Sequence, residues 1–343
     1  MTEDIKIRNG TFLQLGDTTL TFQRTLRIPD DGKRYPLPPG LGCFPIRRVA
    51  DYADRVPADW AEKGGVFLPM YQREAMWLSF GGAPRALKIG VGKVCAISGE
   101  RWTDRLVKKP QNYVVTGVQP WLDGIASGKG TIRQFVAMPL GMGYTVEAQV
   151  TGEEKHGGVQ LQVFSPKPGK LPPWGGPYRA SGGAPGAAME MCAQAPMPPA
   201  CAAPSPRRAS AGAMGIAAGG RMKQKIYPDP HGIGTWDQTE RTRVFVHIVN
   251  SELWREITGE EPPKSPVTAR SYAQAGLPWY DLYDEGAPTV DPTSTLAEVK
   301  GIKEMDADKF GAELQDDDPV KIGPVKKIIN AALGALNVSD GEW

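Results

Sequence analysis

The sequence predicts a β-rich α+β protein, and three observations carry this prediction. Short segments of alternating apolar and polar residues recur through residues 1–165, as the strands of a half-buried sheet require. The 41 glycines and 32 prolines suit a chain with many turns. With 41% hydrophobic residues and nine tryptophans, the chain can bury a substantial core. We expect an antiparallel β barrel or sandwich, followed by a smaller α+β domain that ends in an amphipathic helix.

Residues 1–165 form the predicted antiparallel β domain. The segment 11–28 alternates apolar and polar residues, and the sequence P-D-D-G at 29–32 is a strong turn signal. The segment 86–97 has the pattern of a hairpin that turns near its central glycines. Further strands are predicted at 111–118, 132–137, 144–150 and 159–164.

The composition changes at residues 166–221, which are rich in Pro, Gly and Ala and are predicted to be a flexible linker. Such a segment cannot bury enough apolar surface to offset the entropy that ordering costs. Residues 222–343 form the predicted second domain, in which 241–250 has the pattern of a central strand. Whether the two ordered parts share one sheet, with the linker as an excursion, stays open.

Two helices are predicted near the end of the chain. Thr295 and Glu298 form a capping box for a helix that continues to about Met305. A second helix is expected after Pro324, with an apolar face that would pack on the domain or on a second copy. That face comprises Val325, Ile328, Ile329, Leu333 and Leu336.

Charge is distributed unevenly along the chain. The net charge is +2, whereas residues 281–343 contain 14 acidic and six basic residues. A basic body with an acidic tail is one pattern of nucleic-acid binding proteins. The basic segment 207–225 has no interleaved aromatic residues for base stacking. Nucleic-acid binding is therefore not favoured, and we expect a solvated acidic pair of helices instead.

Most catalytic and cofactor signatures are missing from the sequence. It contains no G-x-S-x-G elbow, no phosphate-binding loop and no strand-linked dinucleotide fingerprint. The four cysteines do not have the spacing of a zinc site. We therefore expect no cofactor and no metal. The sulfur-rich segment 189–201 has soft ligands for Cu(I), but its Ala and Pro neighbours favour the linker interpretation.

Membrane insertion is not expected from the sequence. No stretch approaches the roughly 18 consecutive apolar residues that a membrane helix needs. The N-terminal sequence M-T-E-D-I-K-I-R lacks the apolar segment of a secretion signal. We expect a cytoplasmic protein whose thiols are reduced.

The stretch 119–149 holds the side chains best suited to a ligand site. Aromatic rings stack on ligands, and charged groups beside them give specificity. The predicted groove is lined by Trp77, Trp121, Asp123, Arg133, Tyr144 and Glu147. The leading hypothesis is a soluble, non-enzymatic protein that binds a ligand or assembles with a partner. In the competing interpretation the tryptophans only pack the core.

A cofactor-free hydrolase is the alternative hypothesis. Asp123 and Glu147 would supply a carboxylate pair, or His247 a general base. Spacing along the chain does not bring these residues together. His247 lies within a predicted strand, where a hydrogen-bonded core histidine is the favoured interpretation. A structural subunit that docks through the C-terminal helix is a third hypothesis.

Several segments resemble a group of uncharacterised proteins from bacteria and filamentous fungi. These segments are R-T-L-R-I-P-D-D-G, Y-P-L-P-P-G-L-G, P-M-Y-Q-R-E-A-M-W, Q-P-W-L-D-G and R-Q-F-V-A-M-P-L-G-M-G-Y-T-V-E. The resemblance extends into the second predicted domain and skips the linker. It implies no activity, no cofactor and no role for any individual residue.

Overall fold

One sheet of seventeen strands joins most of the chain that the structure describes. The structure is a computed structural model, and it describes residues 5–172, 212–264, 266–281, 288–311, 322 and 325–327. Most strand pairs are antiparallel, so the prediction of a β-rich fold with a large antiparallel sheet is confirmed. Closure of the sheet into a barrel or a sandwich stays a prediction.

Nineteen strands are described, of which β18 and β19 form a separate two-stranded sheet. The strands are β1 Ile5–Arg8, β2 Phe12–Leu15, β3 Thr18–Thr25, β4 Arg34–Tyr35, β5 Gly40–Cys43, β6 Arg47–Arg48, β7 Val66–Met70, β8 Ala75–Gly82, β9 Ala86–Val91, β10 Val94–Cys95, β11 Val114–Val115, β12 Trp121–Leu122, β13 Gly124–Gly128, β14 Thr131–Pro139, β15 Val159–Pro166, β16 Ala213–Lys223, β17 Trp236–Asn250, β18 Trp279–Asp281 and β19 Val325–Lys327.

The described helices are short. They are α1 Ala58–Lys63, α2 Val146–Thr151, α3 Ser251–Thr258, α4 Ala269–Gln274, α5 Ser294–Ala297 and α6 Ile302–Phe310. Single turns of 3-10 helix lie at Val49–Tyr52 and Ile233–Thr235. None of the helices in the described ranges has the length and apolar character needed to cross a membrane.

The pairing of β3 with β8 shows how the sequence builds the core. Leu20 lies opposite Phe80, and both side chains are buried in the main apolar cluster. Thr21 and Ser79 are also paired, and they point to the opposite face because side chains alternate along a strand. Burial of a large apolar side chain contributes about 1.5–3 kcal/mol. A slip by one residue would expose the whole apolar set, so burial fixes the register.

Strands from the predicted domains 1–165 and 222–343 belong to this same sheet, which is the arrangement that the sequence left open. β16 lies between β14 and β17, and β17 also pairs with β15. β16 begins at Ala213, within the predicted linker 166–221. Its sequence A-M-G-I-A-A-G-G is rich in small residues, and a Cβ atom at Gly215, Gly219 or Gly220 would collide with Thr145, Val136 or Pro29 respectively. For this reason the composition of the β16 segment predicts a linker, although the segment forms a strand.

The segment 144–150, predicted as a strand, forms α2 instead. Thr145 caps this helix, because its hydroxyl accepts a hydrogen bond of 3.1 Å from the Ala148 amide. Gly152 ends the helix in the left-handed conformation. These local cap signals outweigh the β-branched residues that suggested a strand.

The end of the described chain also differs from the predictions. The helix expected from Thr295 to about Met305 is divided into α5 and α6, since Gly301 between them forms a β-bridge with Ala218. The helix expected after Pro324 does not begin there, because β19 pairs in parallel with β18. Ile328, Ile329, Leu333 and Leu336 lie outside the described residues. Oligomer contacts through the face that begins at Val325 stay a prediction.

Gly65 marks a close approach between β7 and β17, which run parallel to each other. Its φ is +85°, and a Cβ atom there would collide with the carbonyl oxygen of Phe245 in β17. The neighbouring Gly64 has a φ of +65°, and a Cβ atom there would meet no atom within 4 Å. Both glycines have a positive φ, which a residue with a Cβ adopts only with strain, and they differ in the space beside them.

We expect Gly65→Ala to lower the free energy of unfolding at least twice as much as Gly64→Ala. Backbone strain costs on the order of 1–3 kcal/mol at either position, and only Gly65 adds a collision with β17. Urea denaturation followed by circular dichroism measures both losses. Equal losses would contradict the close parallel pairing of β7 and β17.

Candidate functional site

A row of four side chains crosses the sheet on the face opposite Leu20 and Phe80, and Trp121 at one end of it also packs against the main apolar cluster. Phe12 in β2 pairs with Thr21 in β3, Thr21 pairs with Ser79 in β8, and Ser79 pairs with Trp121 in β12. Phe12, Ser79 and Trp121 are half-buried, and Thr21 is more deeply buried. We call these four residues the Trp121 row. Two aromatic rings therefore lie at its ends and two hydroxyl groups lie between them.

The next positions on the same face extend the row. Thr19 pairs with Gln14 on one side and with Gly81 on the other, and all three are half-buried. Trp77 lies two residues before Ser79 in β8, so it shares this face, but only 3% of it is exposed. Trp121 therefore offers accessible ring surface, whereas Trp77 is part of the packing beneath.

Asp123 lies buried two residues after Trp121. The amide of Gln224 donates a hydrogen bond of 2.6 Å to Asp123 Oδ2, and the Asp123 backbone N–H donates to Gln224 Oε1 at 3.0 Å. The Trp121 side chain also donates to the carboxyl group. Burial raises the pKa of Asp123 to about 7, and these hydrogen bonds oppose the rise. The group therefore titrates near neutral pH.

Arg133 and Tyr144 meet at a different place, where both hold carboxylates of α6. Arg133 is buried and makes ion pairs with Asp30 at 3.1 Å and Glu304 at 3.2 Å. The Tyr144 hydroxyl donates a hydrogen bond of 2.7 Å to Asp306. Both predicted site residues thus fasten the C-terminal part of the described chain.

Glu147 occupies a third place, in the first turn of α2. Its carboxylate accepts hydrogen bonds from the backbone amides of His156 at 3.1 Å and Gly157 at 2.9 Å. Burial raises its pKa, and the amide hydrogen bonds oppose this rise. Among the described contacts, no hydrogen bond links Glu147 with Asp123. Each carboxyl group has its own set of partners.

His247 is packed between aromatic rings within β17. Its ring stacks on Trp60 with 4.5 Å between centroids, and Phe245 lies 4.6 Å away. Nε2 donates to the carbonyl of Gly64 at 3.0 Å. Burial lowers the pKa of His247 to about 4, so the ring is neutral at physiological pH. This is the environment of the core histidine that the sequence favours.

The structure thus distributes the six predicted residues over three places. Trp77, Trp121 and Asp123 lie around β8 and β12, Arg133 and Tyr144 lie under α6, and Glu147 lies beside the loop at 156–157. In the described contacts each group has its own hydrogen-bond or ion-pair partners, and a single groove lined by all six stays a prediction. Only Trp121 combines an aromatic ring with accessible surface, so the candidate ligand site is the Trp121 row.

Lys88 is a buried charged residue that sequence reasoning missed. Its ammonium group donates to the backbone carbonyls of Thr103 and Arg105, the latter at 2.8 Å, and lies 4.7 Å from the Trp102 ring centroid. Burial lowers its pKa. The signal in the sequence is a lysine within the otherwise apolar run A-L-K-I-G-V. These hydrogen bonds join Lys88 to the loop at 103–105, so Lys88 stabilises the position of that loop.

Asp229 is a carboxylate whose hydrogen-bond partners lie within the protein. Asp229, near His231, accepts hydrogen bonds from the Tyr113 hydroxyl at 2.6 Å and the Trp236 indole at 2.9 Å. Across the described ranges, no group of three or more His, Cys, Asp or Glu side chains could hold a metal ion. The sulfur-rich segment 189–201 lies outside the described residues.

Comparisons with known proteins add no relative to this geometry. No family model matches the chain, and neither a curated protein nor a solved structure matches it. The function must therefore be inferred from the chemistry of the site itself.

We expect Asp123→Asn to stabilise the protein above pH 7 and to have little effect below pH 4. The raised pKa means that the folded protein retains a proton that the unfolded chain has released. Stability from this group is complete at low pH and is lost as the pH rises through about 7. The gain at pH 8 is on the order of 2–4 kcal/mol, since one pKa unit is about 1.4 kcal/mol.

Urea denaturation at pH 4, 6 and 8 measures this difference. Asp54→Asn is the matched control, because the Asp54 side chain is 80% exposed and should give a gain near zero at every pH. A pH-independent effect of Asp123→Asn would contradict the buried, protonatable environment described for this carboxyl group.

Proposed function

We propose that the protein is a non-enzymatic binding protein and that its ligand lies across the Trp121 row. The observation that carries this proposal is the cross-strand alignment of Phe12, Thr21, Ser79 and Trp121. Aromatic rings provide flat apolar surface, and hydroxyl groups give and accept hydrogen bonds. A ligand with apolar ring faces and peripheral hydroxyl groups fits this alternation. A short oligosaccharide has that chemistry.

The dimensions of the row support this ligand class. Neighbouring strands are about 4.8 Å apart, so the three steps from Phe12 to Trp121 span roughly 14 Å. The site is carried by regular strands, which hold side chains more rigidly than loops do. Asp123 helps to hold the Trp121 ring by accepting a hydrogen bond from its side chain.

The state of the acid and base candidates favours binding over catalysis. Glu147 is bound to backbone amides, and His247 is stacked, neutral and 1% exposed. A general base needs hydrogen-bond reach to its substrate. Both residues are buried and have partners outside the Trp121 row.

A cofactor-free hydrolase is the second candidate, and one observation favours it. Asp123 has a pKa of about 7 and accepts a hydrogen bond from Trp121, as a general acid beside a ligand-binding ring would. In this version Asp123 protonates the leaving group of a ligand bound on the row. The rate of hydrolysis would then fall as the pH rises through about 7, and Asp123→Asn would abolish hydrolysis.

A cytoplasmic location belongs to the same proposal. Cys43 and Cys95 are both free, and burial raises the pKa of the Cys43 thiol. Free, unreactive thiols suit a reducing compartment. Membership of the group of bacterial and fungal proteins that the sequence resembles is likewise proposed.

We expect Trp121→Ala to weaken oligosaccharide binding about ten-fold or more, and Trp121→Phe to retain most of it. Loss of the ring removes the stacking surface, whereas Phe keeps a ring without the indole N–H. Isothermal titration calorimetry against short glucan and chitin oligosaccharides measures the affinities. Ser79→Ala should weaken binding to a smaller extent, since it removes one hydroxyl group.

Ser294→Ala is the control for loss of a hydroxyl group, because Ser294 is exposed and lies outside the row. Equal binding by Trp121→Ala and the unmodified protein would contradict the site. Turnover of the oligosaccharide that disappears in Asp123→Asn would instead select the hydrolase. Binding of extended peptides instead of saccharides would contradict the proposed ligand class but not the proposed location of the site.

A further inference from the structure

Two arginines and a lysine lie side by side on an exposed face of the sheet, where β4, β16 and β14 are neighbours. Arg221 in β16 lies directly opposite Arg34 in β4, and both are exposed. Lys223 lies two residues further along β16, so its side chain points to the same face. The intervening Met222 is buried opposite Tyr35. We call Arg34, Arg221 and Lys223 the cationic cluster.

The side chain of Arg34 brings the three positive charges close together. β16 lies between β4 and β14, and Lys223 is paired with Thr131 in β14. Arg34 Nη1 lies 3.5 Å from the Thr131 hydroxyl oxygen. To reach that oxygen, the Arg34 side chain crosses β16 between the positions of Arg221 and Lys223. Neighbouring strands are about 4.8 Å apart and alternate residues of a strand about 6.6 Å apart, so one small anion spans the cluster.

No carboxylate in the described part of the chain forms an ion pair with the cationic cluster. Three acidic residues of neighbouring segments have other partners. Asp30 and Glu304 both pair with Arg133, at 3.1 and 3.2 Å. Asp31 pairs with Lys33 at 3.7 Å. Like charges directly opposite each other on a sheet are destabilising, so a bound anion would stabilise this arrangement.

A terminal phosphate group has the chemistry that this cluster requires. It carries about 1.5–2 negative charges at pH 7 and presents three acceptor oxygens. Guanidinium groups bind phosphate through paired N–H donors, and a lysine adds a point charge. A phosphodiester of a nucleic acid carries one negative charge, and such an interface spreads over about 6–10 phosphate contacts. Three cations are too few for that mode of binding, whereas they suit one terminal phosphate.

We propose that the cationic cluster binds the terminal phosphate of a phosphate monoester. Arg34 and Arg221 bind its oxygens from two neighbouring strands, and Lys223 supplies the third positive charge. The exposed Lys129, in the turn before β14, adds a further positive charge nearby. The cluster and the Trp121 row lie on different strands, so this is a second site that does not depend on the first. Soluble phosphate esters and the headgroup of phosphatidic acid share this chemistry.

Isothermal titration calorimetry of the full chain with glycerol 3-phosphate tests the site. Arg221→Gln should weaken binding about ten-fold or more, since it removes charge-assisted hydrogen bonds. Arg8→Gln is the matched control and should keep full affinity, because Arg8 is an exposed strand residue of β1, outside the cluster. Equal affinities of these two variants would overturn the proposal. Lys223→Gln, which should also weaken binding, replaces Arg221→Gln if that variant fails to fold.

Vesicle co-sedimentation distinguishes the two sources of phosphate. Binding to vesicles of equimolar phosphatidylcholine and phosphatidic acid, lost in Arg221→Gln and absent with phosphatidylcholine alone, would assign the lipid headgroup. Binding of glycerol 3-phosphate without vesicle binding would assign a soluble ester. Absence of binding to both would overturn the proposal. So would tighter binding of a single-stranded oligonucleotide without a terminal phosphate, because it contains phosphodiesters only.

Thermal unfolding gives an independent measure of the unbalanced charge. At low ionic strength Arg221→Gln should raise the Tm, because it removes the positive charge opposite Arg34, and added sodium chloride should reduce this difference. Sodium phosphate should raise the Tm of the unmodified chain more than sodium chloride at equal ionic strength does, since a ligand of the folded state stabilises it. An equal effect of phosphate on the unmodified chain and on Arg221→Gln would contradict binding at the cluster.

Discussion

The eight-residue antiparallel pairing of β3 with β8 is the constraint on which most of this structure depends. It places Leu20 and Phe80 in the core and leaves Thr21 and Ser79 on the opposite face. The strands on either side inherit this register, so Phe12 and Trp121 align with the same hydroxyl groups. The core and the candidate binding surface are therefore two consequences of one pairing.

Many charged side chains in this protein form ion pairs and hydrogen bonds that hold its segments together. Arg24 and Glu74 form a buried ion pair, Lys88 holds a covering loop through carbonyl groups, and Arg73 with Tyr144 holds α6. A buried charge is costly unless hydrogen bonds satisfy it, so these partners must be present together. The same residue types would serve in an active site. For that reason the residue type alone does not distinguish a structural role from a catalytic role here.

Parts of the fold could be predicted because local patterns carry them. Alternation indicated β3 and β15, and glycine spacing indicated the hairpin of β9 and β10. β16 could not be predicted, since its small residues suit close packing against several neighbouring segments and have the composition of a linker. The strand predicted at 144–150 was wrong, because the cap at Thr145 prevailed over β propensity.

The candidate site could be predicted only in part, for a related reason. Trp121 was identified from its own character, as a singular aromatic residue in an ordered stretch. Phe12, Thr21 and Ser79 join it only through register between distant strands, which no single segment encodes. Arg133 and Tyr144 were recognised as unusual, but their partners Glu304 and Asp306 lie more than 150 residues further along the chain.

Disulfide cross-linking between β3 and β8 tests the central claim most directly. In a chain with its native cysteines replaced by serine, Thr21→Cys with Ser79→Cys should oxidise rapidly to an intramolecular disulfide. Directly opposed residues in an antiparallel pair lie within the distance that a disulfide bridges. Thr21→Cys with Phe80→Cys should remain reduced, because these side chains point to opposite faces. Cross-linking of the second pair in preference to the first would show a register shifted by one residue, and the Trp121 row would not exist.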